Sequence, residues 1–329
     1  MTNKKKILII KLGAIGDVIH STVIATSIKQ IYPNWEIHFL TSTSIAPMLN
    51  NHPHIDKIIE WDNTKRKSFK YLFKIITQLF KEHYEVIFNP TRATRNYLLS
   101  YLAFPKKVVN KKKHPEVSWV EEYFASAKNI FKDLTLPNRL YSGLNKIAEE
   151  KIKKDIDSLS RPIVVLSPGG EADLNREGRT WSLDSWQKLI DILNQNKINV
   201  IISGSKKERD YHLNLKQATI LSGNYNLAET TALLANADLV IAGDTGPAHI
   251  AAATGTNTIS LLGSTSPDKI KPFGENGYFV ASPNQCRFCW SKKCKFTEFS
   301  NKTTPCMQAI TPEIVINKIK ELSLLPLDK

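Results

Sequence analysis

Residues 239–249 read Leu239-Val240-Ile241-Ala242-Gly243-Asp244-Thr245-Gly246-Pro247-Ala248-His249. The first four residues form an apolar run typical of a buried parallel strand, and the alanine-rich residues after the turn are typical of a helix. Pro247 suits the first turn of that helix, where a missing N–H costs nothing. The stretch therefore predicts one strand–turn–helix unit of an α/β sheet.

The turn of this unit has the features of an anion site. We expect the unpaired amides of Thr245, Gly246 and Ala248, together with the helix dipole, to suit a diphosphate. His249 follows closely in the helix. It either faces the same anion or packs as a structural histidine, and the sequence leaves both interpretations open.

The same alternation of β-branched runs and amphipathic helices continues along the chain, which predicts parallel sheets covered by helices on both faces. The predicted strands are Lys6–Lys11, Glu36–Thr41, Lys57–Trp61, Glu85–Asn89 and Lys107–Asn110, then Ile163–Ser167, Asn199–Ser203, Thr219–Leu221, Leu239–Ala242 and Thr258–Leu262. We expect an α/β protein of two Rossmann-like doubly wound domains, 1–145 and 146–311, that face a central cleft. A final helix within 312–329 is free to pack back on the first domain.

Two further glycine turns follow strands of the second half. Ser167-Pro168-Gly169-Gly170 lets the backbone approach a ligand closely, and Arg179 supplies a fixed positive charge for a phosphate. Gly204 opens another turn, in which Glu208 either accepts hydrogen bonds from ribose hydroxyls or is a solvated residue of a helix's first turn. We expect Trp181 to pack as a hydrophobic staple before a Ser182 N-cap rather than to stack on a base.

In the first half, strand one runs into a turn that contains Gly13, Gly16 and Asp17. The spacing G-x-x-G is not the dinucleotide fingerprint, because it lacks the close glycine pair that admits a pyrophosphate. Taken alone, Asp17 is better explained as a helix cap than as a functional carboxylate.

The 329-residue chain has a formal charge of +14, and its first 160 residues hold 26 Lys/Arg against 15 Asp/Glu. The basic clusters are Lys65-Arg66-Lys67, Lys106-Lys107 and Lys111-Lys112-Lys113. They suit an anionic partner, which could be a membrane surface, a phosphorylated acceptor or nucleic acid, because charge alone does not distinguish these three. The alternative is that they only keep the protein soluble. No apolar run approaches the roughly 18 residues of a membrane span, so we expect a cytoplasmic protein.

All four cysteines lie late in the chain, as Cys286-x2-Cys289-x4-Cys294-x11-Cys306. The spacing departs from the paired C-x2-C pattern of zinc sites, and structural disulfides are unusual in the cytosol. We expect free thiols packed in a loop, with a bound zinc as the alternative.

These residues resemble the bacterial ADP-heptose:lipopolysaccharide heptosyltransferases, glycosyltransferase family nine, over nearly the whole chain. The motifs that carry the resemblance are Leu12-Gly13-x-x-Gly16-Asp17, Tyr32-Pro33, Asp244-Thr245-Gly246-Pro247-x-His249-x-Ala251-Ala252 and Cys306-Met307-x-x-Ile310-x-Pro312-Glu313. The combination is specific, whereas the first motif alone is not.

The resemblance implies a GT-B fold in which 1–145 binds the acceptor and 146–311 binds the nucleotide-sugar. It implies an inverting enzyme that transfers heptose from ADP-heptose to the inner core of lipopolysaccharide, without a cofactor or a metal. The expected partners are the donor, the lipopolysaccharide acceptor and the anionic inner face of the inner membrane, with peripheral attachment there and no nucleic acid.

The resemblance also assigns roles to residues. Asp17 becomes the general base and keeps its role as a possible cap, and Gly13 and Gly16 lie on the acceptor side. Arg179 stands where the family commonly has a lysine that contacts the diphosphate. The donor-binding set is Ser167, Gly169, Gly170, Arg179, Glu208, Asp244, Thr245, Gly246 and His249.

Three alternatives stay open at this point. A nucleotide-dependent oxidoreductase or epimerase would use paired Rossmann-like domains, but the first unit lacks the glycine fingerprint and its ribose-binding acid. A nucleic-acid-binding protein would explain the charge but not the glycine turns. A family member that uses another sugar would share every motif.

Overall fold

Two all-parallel sheets form the framework of the computed structural model, which describes residues 4–91, 93–110, 116–169, 179–291, 294–296 and 303–327. The chain divides into two units, Met1–Leu144 and Asn145–Lys329, and each sheet belongs to one unit. The predicted α/β class with two doubly wound sheets is therefore confirmed.

The first unit has a five-stranded sheet in the order β3-β2-β1-β4-β5. Its strands are β1 (Lys6–Ile10), β2 (Glu36–Ser42), β3 (Lys57–Trp61), β4 (Val86–Asn89) and β5 (Lys107–Asn110). Its helices are α1 (Ile15–Ile31), α2 (Phe69–Phe80), α3 (Thr94–Leu102) and α4 (Trp119–Lys128), with 3-10 turns at Ala46–Leu49 and Asn63–Lys65.

The core of this unit is built around β1 and α1. Residues 7–10 of β1 and residues 18–28 of α1 are buried, because β1 is the central strand and α1 packs between the sheet and α4. Local signals set the helix starts: the Ser68 hydroxyl accepts the Tyr71 N–H at α2, and Ser118 with Glu121 forms a capping box at α4.

The second unit has a six-stranded sheet in the order β11-β10-β9-β6-β7-β8. Its strands are β6 (Ile163–Ser167), β7 (Asn199–Ile202), β8 (Thr219–Ile220), β9 (Leu239–Gly243), β10 (Thr258–Leu262) and β11 (Gly277–Ala281). Its helices are α5 (Lys146–Ile156), α6 (Leu183–Gln195), α7 (Arg209–His212), α8 (Leu227–Ala235), α9 (Gly246–Thr254), α10 (Pro267–Ile270), α11 (Pro305–Gln308) and α12 (Pro312–Glu321).

Two tryptophans anchor the core of the second unit. Trp181 and Trp186 are fully buried, with ring centroids 4.8 Å apart, on either side of the Ser182 N-cap of α6. The Trp181 Nε1–H donates to the Ile310 carbonyl at 2.7 Å. The staple expected from the sequence is present, and no face of the Trp181 ring is left for a base.

The ten predicted strands are all present, with ends shifted by at most one residue. The sequence pattern does not predict β11. Helix α12 packs on α6 and β11 and buries Val315 and Ile319 in the core of the second unit. No described helix is long and apolar enough to cross a membrane.

Candidate active site

Asp17 lies in the first turn of α1, immediately after β1. Its Oδ2 is 2.8 Å from the Lys11 Nζ, and Lys11 is almost fully buried, with 8% of its side chain exposed against 26% for Asp17. Lys11 is held in turn by its backbone N–H, which donates to the Leu40 carbonyl at 3.0 Å. Asp17 is therefore a fixed carboxylate that remains open to solvent.

The helix-cap interpretation of Asp17 is not what the structure shows. The N-cap of α1 is Ala14, which offers no side-chain cap, and Asp17 lies three residues further along.

Burial, with added effects of the Asp17 and Glu122 charges, raises the pKa of the Tyr123 hydroxyl on α4. Tyr123 therefore stays a neutral phenol at physiological pH.

The glycines of this turn leave room around it. A Cβ atom at Gly13 would lie 3.7 Å from the Ile45 Cδ1, an ordinary contact, so the described neighbours do not by themselves require glycine there. Gly16 is the second residue of α1. The acceptor-side role of both residues stays a prediction.

A cavity of about 390 Å³ adjoins this turn. It is lined by Lys11, Leu12, Gly13, Thr91, Ala93, Thr94, Arg95 and Asn96, that is, by the end of β1 and the start of α3. The Asn96 amide ties the two elements by donating to the Ile10 carbonyl at 3.4 Å. Lys11 and Arg95 are the charged side chains among the described lining residues, and Lys11 is already paired with Asp17. Arg95 therefore gives the cavity a charge that suits an anionic ligand.

The α3 part of this cavity was not predicted. Arg95 lies over the Trp61 ring, with its guanidinium carbon 5.3 Å from the ring centroid, and the Ala93 N-cap of α3 carries no side-chain cap. The signal in the sequence is two arginines and two threonines soon after a buried strand, a pattern too common to stand alone.

In the second unit, buried polar atoms gather where β6 and β9 end. Ser167 pairs in register with Ala242, two residues before Asp244. The Ser167 Oγ and the Asp244 Oδ2 are buried and have no hydrogen-bond partner among the described residues. Such atoms cost free energy unless a ligand or water satisfies them, so this sheet edge has the character of a binding site.

Arg179 meets this edge. Its Nε lies 3.2 Å from the Asp244 Oδ2, an ion pair whose angle does not make a hydrogen bond. A Cβ atom at Gly243, the last residue of β9, would lie 3.1 Å from the Arg179 carbonyl oxygen, a tight contact that brings the Arg179 backbone close to the end of this strand. The structure thus brings Ser167, Arg179 and Asp244 together.

Two hydroxyls missed in the sequence share the character of Ser167. The Thr180 Oγ1 and the Thr265 Oγ1 are buried without a hydrogen-bond partner among the described residues. Thr180 follows Arg179, and Thr265 follows β10, the neighbour of β9. Threonine after a strand is frequent, so the sequence gives no distinctive signal for either.

The expected set of free amides at α9 is wrong in part. The Thr245 N–H donates to the Gly243 carbonyl at 2.8 Å, and the Ala248 N–H donates to the Thr245 carbonyl at 3.2 Å. The turn closes on itself, so only Gly246 of the three forms no backbone hydrogen bond to a described residue. His249 is buried on α9, and its role toward an anion stays a prediction.

The turn after β6 is held by a histidine that the sequence did not single out. The His212 Nε2 lies 2.7 Å from the Gly169 carbonyl and its Nδ1 lies 2.6 Å from the Ser222 Oγ. A carbonyl only accepts, so Nε2 carries the proton and Nδ1 accepts from Ser222. Burial lowers the pKa of His212, which keeps this neutral form. Gly169 has a φ of 77°, as expected for a glycine.

The Glu208 carboxylate accepts the Ser205 N–H in the turn before α7. Gly204 is required beside it, because a Cβ atom there would lie 2.6 Å from the His212 Cε1. Gly170 and the cluster Lys111–Lys113 lie outside the described residues. Binding of ribose by Glu208 stays a prediction.

The four cysteines form no disulfide, and Cys306 is buried whereas Cys289 is exposed. Among the described residues, no group of three or more His, Cys, Asp or Glu side chains is arranged to hold a metal ion. Whether the cysteines bind zinc stays a prediction.

The sequence and the fold of this chain are both similar to those of known proteins. Residues 91–300 match the family model described as glycosyltransferase family 9 (heptosyltransferase). The lipopolysaccharide core heptosyltransferase OpsX of Haemophilus influenzae is 25% identical, with 97% of each chain covered. The ADP-heptose lps heptosyltransferase II structure of E. coli superposes with a TM-score of 0.78 at 20% identity and covers 97% of this chain and 98% of its own.

A second solved structure, E. coli heptosyltransferase WaaC with ADP, superposes with a TM-score of 0.72 at 18% identity, over 96% of this chain and 99% of its own. These likenesses confirm the predicted GT-B fold class. The match of the family model over most of the chain carries the assignment further than the fold. The chain belongs to glycosyltransferase family 9, the heptosyltransferase family.

Proposed function

We propose that this protein is an inverting heptosyltransferase that moves heptose from ADP-heptose to the inner core of lipopolysaccharide, with Asp17 as general base. The observation that carries the proposal is the Asp17 carboxylate, fixed by the buried Lys11 next to a cationic cavity. Family membership supports the reaction class, and this geometry supports the choice of Asp17 as the base.

The proposed reaction is a single displacement. Asp17 takes the proton of an acceptor hydroxyl while that oxygen bonds to the anomeric carbon of the heptose. The bond from that carbon to the diphosphate oxygen breaks, ADP leaves with the electron pair, and the configuration inverts. Lys11 holds one carboxylate oxygen, which leaves the other to receive the proton.

On the donor side, Arg179 would stabilise the charge that develops on the leaving diphosphate. Its ion pair with Asp244 holds the guanidinium at the sheet edge. The unpartnered Ser167, Thr180 and Thr265 hydroxyls would hydrogen-bond the nucleotide-sugar, and Glu208 would accept from the ribose. That WaaC was solved with ADP supports the choice of nucleotide. No step of this reaction needs a metal or a cofactor.

On the acceptor side, the cavity beside Asp17 would receive the phosphates or sugar acids of the lipopolysaccharide core, since Lys11 and Arg95 line it. The substrate of the proposed reaction is anchored in a membrane. We therefore propose that the basic first unit works against the anionic cytoplasmic face of the inner membrane, as a peripheral protein that does not use nucleic acid.

The proposal is tested by incubation of the purified protein with ADP-heptose and a panel of truncated lipopolysaccharide acceptors, with the products read by mass. One acceptor should gain the mass of one heptose, with release of ADP. A thermal-shift comparison of ADP-heptose, NAD and an oligonucleotide separates the rival classes. Stabilisation by NAD or the oligonucleotide alone, with no mass gain, would reject the proposal.

A further inference from the structure

Helix α2 carries large apolar side chains that face solvent. Phe69 is 88% exposed and Phe73 is 72% exposed, and Phe80 at the end of the helix is also exposed. At about 100° per residue, these three rings lie within about 40° of one another around the helix axis. They form a stripe along one side of the helix, unlike apolar residues that are exposed singly.

A fourth ring extends the stripe. Phe104, which follows α3 and is 71% exposed, meets the Phe80 ring edge to face, with centroids 5.9 Å apart. Its φ is 48°, a left-handed conformation that bulky residues rarely adopt. We call Phe69, Phe73, Phe80 and Phe104 the aromatic face.

The helix that carries the stripe is anchored in the core of the first unit. An adjoining side of α2 buries Ile75 and Leu79 in the core of the first unit, and Tyr71, Leu72 and Ile76 pack partly against the same core. The aromatic face is therefore presented by a formed helix, and docking would pay little ordering entropy.

Positive charge surrounds the aromatic face. Residues 63–81 contain six Lys/Arg and no Asp or Glu: Lys65, Arg66, Lys67, Lys70, Lys74 and Lys81, all exposed. Asp62, just before this stretch, pairs with Lys65 at 2.9 Å. The carboxylate that follows, Glu82, is neutralised by Lys6 and Lys57. Aromatic rings on one side of a helix and lysines beside them are the composition of helices that lie in a bilayer interface.

We propose that the aromatic face of α2 is a membrane-docking surface, whose phenylalanines enter the interface of an anionic lipid bilayer while the flanking lysines bind its headgroups. This inference rests on the proposed lipid-anchored acceptor. A nucleic acid would match the charge but not the exposed phenylalanine stripe, and a second copy of this chain would match the stripe but not the like charges around it.

Co-sedimentation of the full chain with vesicles of phosphatidylethanolamine and phosphatidylglycerol tests the proposal, with phosphatidylcholine vesicles as the neutral comparison. The double variant Phe69→Ser/Phe73→Ser should bind anionic vesicles at least about tenfold more weakly. Ile147→Ser, which removes an exposed apolar residue of the second unit, is the matched control and should bind like the wild type.

The lysines beside the aromatic face provide an independent test of the proposed docking surface. Lys70→Gln/Lys74→Gln should weaken binding by about fivefold per lysine at physiological salt. High salt should remove that difference, because the screening length falls from about 8 Å at physiological salt to about 3 Å at 1 M. Lys153→Gln/Lys154→Gln, an exposed lysine pair on α5, is the matched control. At high salt the wild type should still bind more than the phenylalanine variant.

Transfer to a delipidated, water-soluble core oligosaccharide separates this inference from the proposed function. All four variants should retain that activity, so failure of the wild type there would count against the proposed function alone. Equal vesicle binding by the phenylalanine variant and Ile147→Ser would overturn the docking surface. So would a wild-type dimer in sedimentation velocity that Phe69→Ser/Phe73→Ser dissociates.

Discussion

The Lys11 Nζ and the Asp17 Oδ2 lie 2.8 Å apart, which joins the end of β1 to the first turn of α1. The lysine is buried and the carboxylate is partly exposed, so one partner fixes the position and the other can react. This asymmetry sets the first two predictions.

Asp17→Asn should lower turnover by about 100-fold to 10,000-fold, because an amide keeps the shape of the carboxylate but cannot take the proton. ADP affinity and the melting temperature should stay close to the wild type. Steady-state kinetics with ADP-heptose measure the effect, and Glu60→Gln, an exposed carboxylate of the same unit, is the control. Turnover within a few-fold of the wild type would remove Asp17 from the role of base.

Lys11→Met should lower kcat by about 10-fold to 100-fold, because a carboxylate freed from its partner loses the aligned geometry. The free energy of unfolding should change by only about 1 kcal/mol, since Asp17 can be hydrated. Lys29→Met breaks a comparable pair with Asp56 elsewhere in the unit and should leave kcat unchanged. Equal kcat values for the two variants would show that Lys11 is only structural.

Arg179→Ala should weaken ADP binding by about 10-fold to 100-fold, the expected loss of a charge-assisted contact to phosphate. The free energy of unfolding should change less than the free energy of ADP binding. Calorimetric titration with ADP measures the change, with Arg161→Ala as control, because Arg161 pairs with Asp238 in the same unit. Unchanged affinity in Arg179→Ala would move the residue out of the site.

His212→Leu should weaken ADP binding, because the Gly169 carbonyl loses the N–H that holds the turn after β6. His212→Gln can place an amide N–H at the same point and should restore part of the affinity. Titration with ADP at matched folded fractions tests this. Equal losses in the two variants would mean that the residue only fills space.

Stability should fall with acid through His52, whose pKa is lowered to about 3 by burial and by the neighbouring His54. Below pH 6.5 the His52 side chain binds a proton in the unfolded chain but not in the native state. The free energy of unfolding therefore falls by up to about 1.4 kcal/mol per pH unit. Urea unfolding at pH 7 and pH 5 should show a smaller loss for His52→Gln than for the wild type, by about 2 kcal/mol. His83→Gln should behave like the wild type, and parallel losses in all three proteins would contradict the assignment.

Local signals explain what the sequence predicts well. The strands are short β-branched runs between glycine or polar turns, and Ser182 with two tryptophans predicts the start of α6. Strand β11 is not predicted from the sequence, because it is an edge strand of mostly half-buried residues that begins with Gly277. Its pairing with β10 depends on a neighbour, and no local pattern reports it.

Through-space contacts explain what the sequence does not predict. Lys11 and Asp17 meet because the turn between them folds back, and His212 reaches Gly169 across 43 residues. The free amides expected at α9 fail for a similar reason, since the Thr245 N–H turns back to Gly243 within the turn itself. Residue type predicts the chemistry at these positions, and only the three-dimensional structure gives the partners.

The parallel order of both sheets has an evolutionary consequence. Every strand of a parallel sheet ends at the same edge, so the turns after β1, β6 and β9 can exchange side chains while the buried strands keep theirs. Under the proposed function, the residues that contact a sugar or an acceptor would thereby be separated from those that keep the chain folded. Substitution in a few turns could then change specificity without loss of the buried core.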